Sequence, residues 1–118
     1  MLNGIIGKKT VYIVTGYTDM RKGIDGLAAI VQGKPLLDPY SKALFLFCGK
    51  NPHKLKGLLW EGDGFLLLSK RLENGKYRWP RNEYEALELS EQQLRWLLEG
   101  LEIEQKKAIK LGKQGTLY

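Results

Sequence analysis

Residues 54–71 read Lys-Leu-Lys-Gly-Leu-Leu-Trp-Glu-Gly-Asp-Gly-Phe-Leu-Leu-Leu-Ser-Lys-Arg, two apolar runs on either side of Glu61-Gly62-Asp63-Gly64. Asp63-Gly64 tolerates the positive φ that tight hairpin turns demand, so 55–60 and 65–71 are expected to pair antiparallel. Working outward, the run 43–48 precedes this pair across Gly49-Lys50-Asn51-Pro52. The run 76–80 follows it across Glu73-Asn74-Gly75, where Asn74-Gly75 is a second hairpin signal. Connections this short join antiparallel neighbours, and the four runs together predict an antiparallel meander. In the last run Tyr77 and Trp79 alternate with Lys76 and Arg78, which puts the aromatics on one side and the cations on the other. By the same alternation Lys54 and Lys56 share one face of the second run.

Upstream, residues 11–14 (Val-Tyr-Ile-Val) read as a short strand ending at Thr15-Gly16. A helix is expected to follow, capped by Thr18 or Asp19, with Met20, Ile24, Leu27, Ala28 and Val31 as its apolar stripe. Arg21 and Asp25, four apart, can pair on its outer side. Gly33-Lys34-Pro35 is the stop. Gly23 and Gly26 inside this helix cost about 1 kcal/mol each relative to alanine. Either the backbone packs closely there or the helix starts later. Downstream, Ser90 and Gln93 form a capping box, with Leu89 and Leu94 as the hydrophobic staple. Leu94, Leu97, Leu98 and Leu101 make the stripe of this second helix, which Gly100 ends or weakens. The expected architecture is one α+β domain over residues 1–112, an antiparallel meander of four to five short strands packed with two to three helices. Residues 113–118 lack periodicity and are expected to form a mobile tail.

Composition narrows the function. A chain of 118 residues fits one core, and 43% hydrophobic with 27% charged residues is ordinary globular composition. No apolar run approaches the ~18 residues of a membrane span, and residues 1–10 lack a signal-peptide stretch. A lone cysteine, Cys48, excludes an internal disulfide and fits a reducing cytoplasm. The net charge is +6, which favours a polyanionic partner. It is unevenly placed. Residues 50–81 carry eight basic groups (Lys50, Lys54, Lys56, Lys70, Arg71, Lys76, Arg78, Arg81) against three acids, whereas residues 82–118 are net acidic.

Catalytic machinery leaves no trace. Gly7-Lys8-Lys9-Thr10 misses the phosphate-loop spacing, and Gly62-Asp63-Gly64 is explained by its turn. Gly23-Ile24-Asp25-Gly26 has the glycine spacing of a KH loop, but Asp25 would oppose the phosphates such a loop clamps. His53 and Cys48 flank a turn without further metal ligands or an orienting group. Two-metal nuclease chemistry needs two or three convergent acids. Glu61 and Asp63 lie within one turn, and Asp19 and Asp25 border a helix start, where a cap or dipole role suffices. The expectation is no catalytic residue, no metal and no cofactor.

Several stretches occur together in a familiar order: Thr18-Asp19-Met20-Arg21-Lys22-Gly23 with Asp25-Gly26-Leu27-Ala28, then Leu37-Asp38-Pro39 with Leu44-Phe45-Leu46-Phe47. After them come Lys54-Leu55-Lys56, Trp60, Gly62-Asp63-Gly64, and Lys70-Arg71-Leu72-Glu73-Asn74-Gly75-Lys76 with Trp79-Pro80. Over residues 10–101 the chain resembles the accessory protein of the IS sixty-six group of bacterial insertion sequences. That is the second-open-reading-frame or TnpB protein of the group, unrelated to the RNA-guided nuclease of the same name. The resemblance implies a protein encoded beside a transposase and needed for movement of the element, the cutting and joining being done by the separate transposase. Where such proteins tend to carry arginine, this chain has Lys50, Lys54 and Lys76, which bind phosphate as point charges without the bidentate fork.

Two classes of function remain. In the first, a non-catalytic transposition accessory protein binds DNA at the element ends through Lys54, Lys56, Lys70, Arg71, Lys76, Arg78 and Arg81, extended by Arg21 and Lys22. Trp60, Tyr77 or Trp79 would stack on unpaired bases, although buried strand aromatics are the commoner use of such residues. In the second, an adaptor binds the transposase through the leucine stripe of the last helix without touching nucleic acid. An RNA-binding regulator of the element shares the basic patch with the first reading. The expected partners are DNA and the transposase of the same element, with no membrane, in the cytoplasm; homo-oligomers are left open.

Overall fold

The computed structural model describes residues 9–81 and 86–104. The β-branched and aromatic run forms β1 (Val11–Val14), and the continuously apolar Leu-Phe-Leu-Phe-Cys forms β2 (Leu44–Cys48), buried on both sides. β3 (Lys54–Trp60), β4 (Phe65–Arg71) and β5 (Ala86–Leu89) complete a sheet in the order β4-β3-β2-β1-β5. β2, β3 and β4 run antiparallel with the expected turn between β3 and β4, where Glu61 N donates to Gly64 O at 2.9 Å and Gly62 takes φ +98°.

The sheet is not a pure antiparallel meander. β1 lies parallel to β2, with Val11 opposite Leu44 and Ile13 opposite Leu46. The reason is the intervening helix α1 (Ile24–Gln32), which carries the chain back along the sheet before β2 begins. The free edge of β1 is taken by β5, antiparallel, with Val11 opposite Leu89. The sequence Ala-Leu-Glu-Leu has weak strand propensity, so the open edge decides its conformation rather than its composition.

Residues 76–80 are extended but join no ladder. Gly75 makes its turn at φ +89°, and the chain then leaves the sheet plane and crosses one face of it. Tyr77 N donates to Pro52 O at 2.7 Å, Gly16 N to Pro80 O at 2.9 Å, and the Trp79 indole Nε1 to Val14 O at 2.9 Å. The apolar face made by Ile13, Leu46, Leu55 and Leu59 needs a cover, and Tyr77 and Trp79 supply it, buried together with Leu94 and Leu97 of α2 (Glu91–Leu98). The alternation is as expected, with Lys76 and Arg78 exposed; its purpose is a lid rather than a strand.

α1 covers the opposite face, with Leu27 and Val31 against Val14, Phe45, Phe47 and Leu58. It starts at Ile24 with Gly23 as its N-cap residue, later than Thr18 or Asp19. The Asp19 carboxylate instead accepts from the Arg21 backbone N–H at 2.9 Å, a local bond that competes with helix. Arg21 accordingly pairs with Asp19 and not with Asp25. Gly26 lies under the Lys22 stem, whose Cβ and Cγ would be 3.2 Å from an added Cβ. In α2 the capping box of Ser90 and Gln93 is formed in both directions, and Gly100 at φ +83° follows its end. Leu94 and Leu97 of its stripe are spent on this protein's own core, while Leu101 is exposed. No helix among the described residues is long and apolar enough to cross a membrane. The expected tail, 113–118, and Gly7 and Lys8 lie outside the described residues.

Candidate nucleic-acid interface

Because β1 and β2 are parallel, both finish at the same end of the sheet. The antiparallel register puts the start of β3 and the end of β4 there too, with Cys48 opposite Leu55 and Lys54 opposite Arg71. The carboxyl ends of parallel strands are where open sheets leave a crevice. Here a cleft of about 430 Å³ opens, walled by Tyr17, Asp19, Met20, Lys50, His53 and Lys54 among others. Its floor is firm: Thr18 is buried and its N–H donates to Cys48 O at 2.8 Å, tying the loop after β1 to β2.

The nine expected cations divide between two places. Lys54 lines the cleft. Lys56, on the same face, donates from Nζ to Lys22 O at 2.8 Å and holds the Lys22 loop against β3. Arg71 lies across from Lys54 and reaches Glu73 at 3.3 Å. Arg21 grips Asp19 through Nε at 3.0 Å and Nη2 at 2.8 Å, which holds that carboxyl well below the usual carboxylate range. Arg81 donates from Nη2 to Gly49 O at 3.1 Å, beside the cleft. Arg21, Lys22, Lys54, Lys56, Arg71 and Arg81 thus gather at one end of the sheet. Lys70, next to Arg71 on a strand, points to the opposite face. Lys76 and Arg78 ride on the lid, where Arg78 lies 3.6 Å from Glu102.

The three aromatics singled out for stacking are otherwise employed. Tyr77 and Trp79 are 2% and 6% exposed. Trp60 belongs to a cluster at the far end of the sheet, its ring 5.0 Å from Tyr40 and 4.9 Å from Phe65. Tyr17, which sequence reasoning passed over, is 61% exposed. The Arg81 guanidinium is 5.4 Å from its ring centre and the Lys50 ammonium 6.0 Å. Tyr17 and Lys50 lie in loops without periodicity, and only the parallel order of β1 and β2 brings those loops together.

Other reactive groups are quiet. Burial pushes the Cys48 thiol up to about 11, so it stays protonated at neutral pH. Burial also raises the Tyr77 hydroxyl. The His53 Nδ1 sits 3.2 Å from Asn51 O, within its own turn. Glu61 and Asp63 are exposed around the far hairpin turn. Among the described residues no three His, Cys, Asp or Glu side chains are placed to hold a metal ion together.

Comparison with known proteins agrees with the resemblance drawn from the motifs. The family model of the IS66 Orf2-like proteins matches residues 9–108. Two uncharacterized proteins of Sinorhizobium fredii are similar to the chain. One, y4hO, is 41% identical over 92 residues, which is 78% of this chain and 80% of that protein. The other, y4jC, is 35% identical over 92 residues, 78% of this chain and 79% of its own length. No solved structure matches. With the family match covering all but the ends of the sequence, the chain belongs to the IS66 Orf2-like proteins, and its setting is the transposition of an insertion sequence.

Proposed function

We propose that the protein binds DNA through the basic end of its sheet and assists a separate transposase at the ends of the element, performing no bond chemistry itself. The observation that carries this reading is the gathering of Lys22, Lys54, Lys56, Arg71 and Arg81 at the end of the sheet where β1 and β2 finish, with Lys50 and Lys54 lining the cleft there. Asp19 and Glu73, acids at the same end, are each engaged by an arginine, which reduces their repulsion of phosphate. Lysines there act as point charges. The guanidinium groups of Arg21, Arg71 and Arg81 already bond Asp19, Glu73 and the Gly49 carbonyl, leaving little fork geometry for reading bases. Binding should therefore be strongly salt-dependent and weakly sequence-dependent. Transposition needs cut and joined strands, and the transposase supplies those steps.

Fluorescence anisotropy of the purified protein against duplex element ends, scrambled duplex and RNA of matching sequence, over several salt concentrations, tests the proposal. The expected result is DNA affinity that falls steeply with salt and favours the ends modestly. A folded protein that ignores DNA at low salt, or prefers RNA, contradicts it.

A further inference from the structure

We infer that the Tyr17 cleft holds the base of an unpaired nucleotide, so that the protein engages a single-stranded stretch of DNA. This deepens the DNA-binding reading above and rests on it. The ring of Tyr17 is the aromatic surface set among the cations of this end, and it stands 61% exposed. The Arg81 guanidinium at 5.4 Å and the Lys50 ammonium at 6.0 Å hold the ring by its π system. Arg81 is itself fixed by its bond to Gly49 O.

The cleft beside the ring is the right sort of space. At about 430 Å³ it falls within the range of small-ligand sites, roughly 300–1,000 Å³. Met20 gives it an apolar wall, and that side chain seats only because residue 49 is glycine: a Cβ there would come within 2.7 Å of the Met20 Cγ. His53 and Asn51 add polar groups that can meet a base edge. Lys50 and Lys54 line the cleft and Arg81 stands beside the ring, cations that can meet the phosphates of a strand whose base lies at Tyr17. A base within a duplex is stacked on both faces and cannot enter, so the occupant is unpaired. Base and phosphate together are the chemistry of single-stranded nucleic-acid sites, in which aromatic platforms lie along a cationic track.

The test measures anisotropy for wild type, Tyr17→Leu and Tyr17→Phe with a short oligothymidylate, the same strand carrying abasic positions, an RNA strand of equivalent length, and a duplex. Wild type is expected to bind the base-bearing DNA strand more tightly than the abasic strand and the duplex. Stacking of one base corresponds to about five-fold to 150-fold in affinity, so Tyr17→Leu should lose about ten-fold for the base-bearing strand. It should lose far less for the abasic strand, and Tyr17→Phe should keep most of the wild-type preference. Equal binding of base-bearing and abasic strands by wild type overturns the inference without help from any variant. So does equal weakening of both strands in Tyr17→Leu, or tighter binding of the RNA strand than the DNA strand. Salt-dependent duplex binding without base dependence removes only this inference, whereas no binding to any strand removes the DNA-binding reading as well.

Discussion

The two ends of the sheet use aromatic residues in opposite ways. At the far end Tyr40, Trp60 and Phe65 lean on one another at ring separations of 4.9–5.3 Å, beside the hairpin turn that carries Glu61 and Asp63. At the near end Tyr17 stands among Lys50, Arg81 and Lys54, and its ring contacts are cations rather than other rings. At the far end Trp60 and Phe65 are half-buried by their mutual packing, and Tyr40, although 53% exposed, leans on both of them. A ring held by cations and left open to a cleft contributes little to stability and has a surface to spare for a ligand. Counting aromatics beside basic residues along the chain cannot separate the two uses, because Trp60 is as close to lysines in sequence as Tyr17 is.

The contrast breaks if aromatic substitutions cost the same wherever they are made. The largest effect is expected from Trp79→Ala. It opens the lid and leaves Val14 O without its indole donor, and should cost about 3–5 kcal/mol in equilibrium denaturation. Trp60→Ala, at a half-buried site in the far cluster, should cost about 2 kcal/mol by the same measurement, with DNA affinity retained. An intermediate effect comes from the floor of the near end. Cys48 ionises near 9 when unfolded and is pushed up to about 11 when folded. The unfolded chain therefore gives up its proton first, and the stability present below pH 9 declines as the pH rises toward 11. Denaturation midpoints followed over that range should fall less steeply for Cys48→Ala than for wild type; identical slopes would remove the thiol from the explanation. Tyr17→Leu should change stability least, within about 0.5 kcal/mol as for an exposed site. A loss comparable to that of Trp60→Ala would mean that Tyr17 is a packing residue and that the contrast between the ends is false.

What was legible in the sequence is what short-range chemistry decides. The Asp63-Gly64 turn, the Ser90 and Gln93 capping box and the alternation that buries Tyr77 and Trp79 each depend on residues a few positions apart. The parallel pairing of β1 with β2, the recruitment of residues 86–89 as an edge strand and the lid formed by 76–80 depend on which surfaces remain uncovered once the rest has folded. Local propensity carries no information about that. The same division runs through the site. The basic middle of the chain supplies most of the cations gathered at the near end, while Lys70 and Arg71, expected in one patch, face opposite sides of their strand. Tyr17 comes into view, and Lys50 gains its place beside it, only when strand order brings the loop after β1 beside the loop after β2.

The most direct test of the central claim reverses charge at one end of the sheet at a time. Affinity for duplex DNA would be measured across a salt series for wild type, for Lys50→Glu with Lys54→Glu, and for Lys9→Glu with Lys42→Glu. Lys9 and Lys42 are exposed lysines just before β1 and β2 and so at the opposite end of the sheet. Each phosphate contact adds about 0.9 to the slope of log affinity against log salt. The near-end pair should therefore weaken binding at least ten-fold at low salt and flatten the slope by nearly two, while the far-end pair changes both only slightly. Equal losses from the two ends, with both variants folded, would show that DNA responds to net charge alone and would contradict a binding site at the carboxyl ends of β1 and β2.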